Sequence, residues 1–304
     1  MFGGVILKKK GILFILLAGV GFASMTLFSR LSGDLPTMQK AFFRNLFATF
    51  IASITLIKNK QDFKYEKSSI PFLLIRSICG TMGIVCNFYA IDHLVLSDAN
   101  ILNKLSPFAA VIFSIIFLKE RASLTQFLTL LGAFMGAVLI IQPSLSFHEF
   151  APGMIGLTGG IMAGAAYTAV RYLGQKQVNG MKIVFFFSAF SCIVIFPFVI
   201  TQFKPMAPMQ WLFLTLCGIS ATIGQICITK AYTYAPAKEI SIYDYFQILV
   251  SAVYGFIIFQ QKPNNLSILG YLLIFAMSFI NWSKSKNKEF CKQNSSATAV
   301  LRSN

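Results

Sequence analysis

The chain has 304 residues, 56% of them hydrophobic and only 12% charged, with a mean hydropathy of +0.70. A soluble domain carries about twice that share of charge, so the composition excludes a soluble enzyme or binding module and leaves an integral membrane protein. In a soluble chain the net charge of +16 would point to nucleic acid. Here the cations sit at the ends of apolar runs, where orientation and anionic lipid head groups account for them, and nucleic acid is not an expected partner.

In chain order, Lys8-Lys9-Lys10 lead into an apolar run long enough to span rather than serve as a cleaved leader. Spans are expected near 11–31, 40–57, 71–91, 97–118 and 123–141, and again near 153–173, 181–201, 209–230, 238–259 and 266–283. Residues 142–151 read as a linker and residues 284–304, with Lys284, Lys286, Lys288, Lys292 and Arg302, as a solvated basic tail. Six cysteines include no CxxC pair, and no His/Cys cluster occurs, so neither a disulfide framework nor a metal site is expected.

The two sets of five spans repeat one pattern. Gly11, Ala23, Thr26 and Leu31 return 142 positions later as Gly153, Ala165, Thr168 and Leu173. Phe72, Gly83 and Ala90 return 141 positions later as Phe213, Gly224 and Ala231, and in that register Asp98 meets Glu239 and Arg121 meets Lys262. A near-constant offset over separated segments marks a duplicated unit. Five is odd, so the second unit (152–283) must enter the bilayer from the side opposite to the first (1–141). The fold class expected is an all-α integral membrane protein of ten transmembrane helices arranged as two inverted five-helix repeats. With both termini inside, 19 cations fall inside and 4 outside, a strong positive-inside bias that fits a cytoplasmic membrane and supports the count of ten. Gly132/Gly136 and Gly156/Gly160/Gly164 form GxxxG ridges, read as packing within the bundle rather than a dimer face; a monomer or a dimer fits.

Charges within spans are costly, about 2.5–3.5 kcal/mol at the centre on insertion scales, so each invites a functional reading. Counting about 1.5 Å per residue from the span ends puts Arg44, Asp98 and Lys104 in an outer layer and Arg76, Glu239 and Asp244 in an inner one. These layers read as two gates flanking a midplane site, with Asp98 and Glu239 as gate candidates; snorkelling to the interface is the competing account of Arg44, Arg76 and especially Glu239. Arg44, Arg76, Asn103, Lys104, Tyr243, Asp244 and Gln247 are the substrate-pathway candidates. Asn87, Tyr167 and Gln225 are further polar contacts that helix–helix hydrogen bonding would explain as well. Pro107 breaks the fourth span and frees the Asn103 carbonyl, which at membrane depth is tolerated only against protein or a watery cavity. Asp244, set between Tyr243 and Tyr245, is a candidate proton carrier.

Catalysis is not expected. Tyr243-Asp244 matches the YD half of an intramembrane aspartyl protease, but no GxGD partner is present, and GxSxG, HExxH and paired-glutamate motifs are missing. No cofactor motif occurs.

Phe88-Tyr89-Ala90 at the end of the third span, Ser106-Pro107 in the fourth and Phe117-Leu118-Lys119-Glu120-Arg121 at its end, followed by Gly132, resemble the EamA family of the drug/metabolite transporter superfamily. The resemblance covers residues 11–283. It implies a ten-helix basket whose central cavity is lined mainly by the first four helices of each half. The second half departs from the pattern: Ile248 stands at the Pro107 position and Gln260-Gln261-Lys262 replaces Lys-Glu-Arg, which argues against a symmetric pair of hinges. The function expected is a secondary active carrier of a small metabolite working by alternating access, with a proton as the candidate coupling ion. A passive channel or a non-transporting accessory membrane protein is the alternative. Lys104 and Arg44 lean the substrate towards a carboxylate.

Overall fold

The computed structural model describes residues 2–94, 96–142, 150–260 and 262–303, with the side chains of 2–6, 88, 91, 92, 96–99 and 285–303 left out. The helices are α1 (Phe2–Leu31), α2 (Thr37–Lys58), α3 (Ile70–His93), α4 (Leu96–Asn103), α5 (Ser106–Leu118) and α6 (Leu124–Ile141). The second half follows as α7 (Phe150–Gln175), α8 (Gly180–Gln202), α9 (Pro208–Tyr234), α10 (Ala237–Ile240), a 3-10 stretch (Ser241–Tyr245), α11 (Phe246–Phe259) and α12 (Asn265–Ser303). Among the described residues ten helical segments are long and apolar enough to cross a membrane, the fourth and ninth being the composites α4–α5 and α10–α11. Most of the expected linker, 142–151, lies outside the described residues.

Packing repeats on exchange of the halves. Helix α1 packs on α9 as α7 packs on α3, α5 lies on α7 as α11 lies on α1, and α2 and α6 meet their own counterparts α8 and α12. The closest crossings are also mates. A Cβ on Gly21 would stand 2.7 Å from the Gly224 backbone nitrogen, and one on Gly83 would stand 3.2 Å from that of Ala163. These crossings depend on backbone meeting backbone, so small residues drive the association. Gly132 faces Met277 and Gly136 faces Gly270 and Ile274, so that GxxxG ridge belongs to the α6–α12 contact inside the chain.

Local details follow the same symmetry. Lys119 and Gln260, 141 positions apart, end α5 and α11 with left-handed φ values of 54° and 52°, their N–H groups reaching Ser114 and Gly255. A non-glycine residue there is strained by roughly 1–2 kcal/mol; both halves keep it because it closes the helix and turns the chain. Ser123 then starts α6 with a capping box to Gln126.

The α12 backbone runs on past the expected span end at 283 to Ser303; residues 284–303 contain no glycine or proline to stop it. One expectation needs correction: the sequence argued against a symmetric pair of hinges, yet the ninth span breaks at the same register as the fourth. There the chain reads Ile240-Ser241-Ile242-Tyr243-Asp244-Tyr245, β-branched, polar and aromatic residues of low helix propensity that wind as 3-10 without a proline.

Gly21→Val is expected to destabilise the bundle by about 1–3 kcal/mol, the usual cost of overpacking, and to lower the thermal midpoint of the purified chain in detergent. Gly180→Ala, whose Cβ would meet only Thr229 Cγ2 at 3.7 Å, should leave it unchanged.

Candidate functional site

Both helix breaks face one cavity. It measures about 150 Å³ and is lined by α1, α2, α3 and the α4–α5 break from the first half, and by α7, α8, α9 and the α10–α11 break from the second. Its lining residues lie near the middle of their spans: Phe22 and Met25 of α1, Ala163, Ala166 and Tyr167 of α7, Gln225 of α9. The site therefore sits at mid-depth, between the halves.

The fourth span can break there because α7 offers it a glycine ridge. A Cβ on Gly156 would stand 2.8 Å from Leu102 Cδ1, one on Gly160 would overlap the Leu102 carbonyl, and one on Gly164 would stand 2.8 Å from the Ser106 carbonyl. Pro107 falls in the first turn of α5, where its missing N–H costs no hydrogen bond. The Tyr245 hydroxyl donates to the Lys104 carbonyl at 3.0 Å, so the two breaks satisfy each other across the interface. Tyr245 is the repeat mate of Lys104.

Lys104 Nζ lies 3.1 Å from Asp244 Oδ2 and donates to Gln247 Oε1 at 2.8 Å. Lys104 is 8% exposed and Asp244 7%. The two-layer arrangement is thus overturned: the supposed outer lysine and inner aspartate form one ion pair. Each lies about six or seven residues from the start of its span, and the two spans start on opposite faces, so counting straight helices leaves a gap of roughly 10 Å, which a lysine and an aspartate side chain nearly close by themselves.

Arg76 is 3% exposed and does not snorkel. Its guanidinium lies over the Phe187 ring at 3.8 Å, and its Nε has no hydrogen-bond partner. Gly80, one turn on, leaves the room; a Cβ there would overlap Arg76 Nη1. Arg44, half-buried, stacks over Phe22 at 5.9 Å and also lines the cavity. Among the described residues neither arginine has a carboxylate within ion-pair distance, in contrast to Lys104. Among the described residues three cations and a single carboxylate face this space, and the stacked rings supply cation–π attraction in place of counter-ions.

Asn103 and Gln247 line the cavity, as do Asn87, Tyr167 and Gln225. Two other candidates lie elsewhere. Tyr243 hydrogen bonds Asn281 of α12; the 3-10 stretch turns about 120° per residue, so Tyr243, Asp244 and Tyr245 diverge to α12, the cavity and the α4–α5 break. Glu239 pairs with Lys8 at 3.7 Å near the end of the bundle, outside the cavity lining. The backbone of Asp98 is in α4, but its side chain is outside the described residues. Phe22, Phe187 and Gly80 escaped sequence reasoning; the Arg76-x-x-x-Gly80 spacing, one face of a helix, was the available signal for the last.

At the cation-rich end, Arg171 Nε donates to Glu120 Oε1 at 3.0 Å and its Nη1 to the Thr233 carbonyl at 3.2 Å. Lys238 Nζ donates to the Arg121 carbonyl at 2.6 Å, and Lys182 pairs with Asp62. That bond holds the exposed Asp62 carboxyl below its ordinary range. The motif Glu120-Arg121 thus ties the first half to the second.

The profile of the EamA-like transporter family matches residues 9–142 and again residues 152–282. A pseudopaline exporter of Pseudomonas aeruginosa is 31% identical over 271 residues, covering 88% of this chain and 94% of its own length. Solute carrier family 35 member G1 of Homo sapiens is 25% identical over 290 residues, with 88% and 79% covered. A solved crystal structure superposes with a TM-score of 0.81 over 93% of this chain and 99% of its own, at 14% identity, a likeness of fold.

Lys104→Met alone strands Asp244 and is expected to cost about 3–5 kcal/mol, read as a lowered thermal midpoint. Adding Asp244→Asn should restore most of it; strict additivity of the two changes would mean that the pair does not hold the halves together.

Proposed function

The chain belongs to the EamA-like transporter family, and from that footing we propose that it is a secondary active carrier, moving a small metabolite across the cytoplasmic membrane by alternating access. It is a multi-pass membrane transporter and not an enzyme. The single observation that supports the carrier reading best is the placing of the cavity. It lies at mid-depth on the seam between two halves whose contacts repeat on exchange, and both discontinuous spans point their breaks at it. Discontinuous helices at the interface of repeats are where such carriers hold substrate, and rocking of the halves exposes the site to either side.

The cation distribution supports cytoplasmic termini, and the exporter relative supports efflux as the direction. Arg44, Arg76, Asn103, Lys104, Asp244 and Gln247 form the pathway in this reading, with Pro107 at one hinge and the 3-10 stretch at the other. Glu239 and Asp98 serve at the mouths. Asp244, held by Lys104 across the seam between the halves, is the coupling group in this reading.

Proteoliposomes loaded with a mixed pool of amino and organic acids, offered one labelled member at a time, should show saturable counterflow for at least one. Flux that rises linearly with concentration indicates a pore, and no flux above protein-free vesicles indicates an accessory protein. Asp244→Asn is expected to abolish accumulation driven by an imposed proton gradient while counterflow persists. Gradient-driven accumulation at the wild-type rate removes the proton from the reading.

A further inference from the structure

We propose that the solute is an organic dianion that offers one carboxylate to Arg44 and a second to Arg76. The proposal deepens the carrier reading and rests on it for the solute's passage, though not for its binding. Arg76 is the decisive observation. An arginine 97% removed from solvent, with an unpartnered Nε and, among the described residues, no carboxylate within ion-pair distance, lines a mid-depth cavity. Structural arginines at such depth are paired; this one is held by a ring and by the absence of a side chain at Gly80, and among the described residues its Nε has no partner.

The charge count sets the number of anionic groups. Asp244 is committed to Lys104, so among the described residues two positive charges remain unmet. The two arginines are near enough to repel each other, yet each stacks on its own ring, Phe22 from α1 or Phe187 from α8. Two separate platforms suit two separate carboxylates, each able to take two parallel N–H bonds from a guanidinium, better than one compact anion. The cavity, about 150 Å³, restricts the solute to a short chain unless the helices part.

The repeat supports the same assignment. At an offset of 141 Arg76 meets Cys217 and Lys104 meets Tyr245, and Arg44 meets phenylalanine at either offset, 185 or 186. All three cations come from the first half, so duplication of the fold did not place them; they mark a site used once.

The test uses the purified full chain in detergent, with thermal melting and calorimetric titration. The probes are succinate and glutarate, butyrate as monoanion, succinamide as neutral analogue and inorganic phosphate, against sodium chloride of matched ionic strength. Succinate or glutarate should bind and raise the midpoint, with butyrate and succinamide weaker by about tenfold or more, the worth of one charge-assisted hydrogen-bond pair. Arg44→Gln and Arg76→Gln should each weaken dicarboxylate binding by a similar factor. Without ligand the same variants should melt at or above the wild-type temperature, because an uncompensated buried charge has been removed; a lower midpoint with binding intact would make the arginines structural and overturn the proposal. Butyrate equal to succinate, or phosphate binding alone, overturns it as well. Counterflow of some other solute without dicarboxylate binding leaves the carrier standing and sinks this inference, whereas dicarboxylate binding without counterflow does the reverse.

Discussion

A charge at the middle of an apolar bundle must meet an opposite charge, a ring face or water. Lys104 and Asp244 answer that demand together, and much of the architecture follows from bringing them within 3.1 Å. Breaking both spans at one register points them inward and exposes backbone polar groups, which the chain then covers locally: Tyr245 caps the Lys104 carbonyl, and the glycine ridge of α7 lets α4 and α5 lie close. Proline makes one break and the poor helix formers Ser241–Tyr245 make the other, so the same geometry arises from unlike sequence.

Backbone and chemistry therefore obey different symmetries. The crossings at Gly21–Gly224 and Gly83–Ala163, and the left-handed ends at Lys119 and Gln260, are mates under exchange of the halves. The charged lining is not: cations stand on one side and the carboxylate on the other. A scaffold that rocks needs two backbone arrangements of similar energy, which near-identical halves supply. A single site lying on the axis has no such need, and its residues were free to diverge.

The sequence was most legible where the bilayer dictates. Ten spans, their ends to within a few residues, the repeat and the pairing of GxxxG ridges with neighbours inside the chain all follow from length, periodicity and small residues. So did Arg76, Lys104, Asp244 and Gln247 as unusual groups. Their depth did not, because counting rise per residue assumes straight helices and ignores the reach of a lysine. Nor did the direction of Tyr243, which depends on 3-10 winding, or the partners of the arginines: Phe22 and Phe187 are two of 32 phenylalanines, and nothing local separates them from lipid-facing ones.

Ion pairing also separates the two ends of the bundle. At the cation-rich end Glu120, in the first half, takes a hydrogen bond from Arg171 in the second, and Arg171 reaches on to Thr233. At the opposite end the described ties between halves include no ion pair: Gln39 bonds the backbone of Lys204, Gln210 that of Ser32, and Arg30 lies over the Phe259 ring at 4.4 Å. Exposed ion pairs contribute little each, but Glu120 and Arg171 are largely shielded, and a shielded pair resists separation far more than a solvated one. On the carrier reading the two open states then differ in what they must break. Opening the cation-rich end separates opposite charges, whereas opening the other separates amides from carbonyls and a guanidinium from a ring. The central pair adds a third tie, at the seam itself, where Lys104 of the first half meets Asp244 of the second. Any rearrangement that parts Lys104 from Asp244 loosens the halves at the seam, which is how events at the site would bias the rocking of the whole bundle.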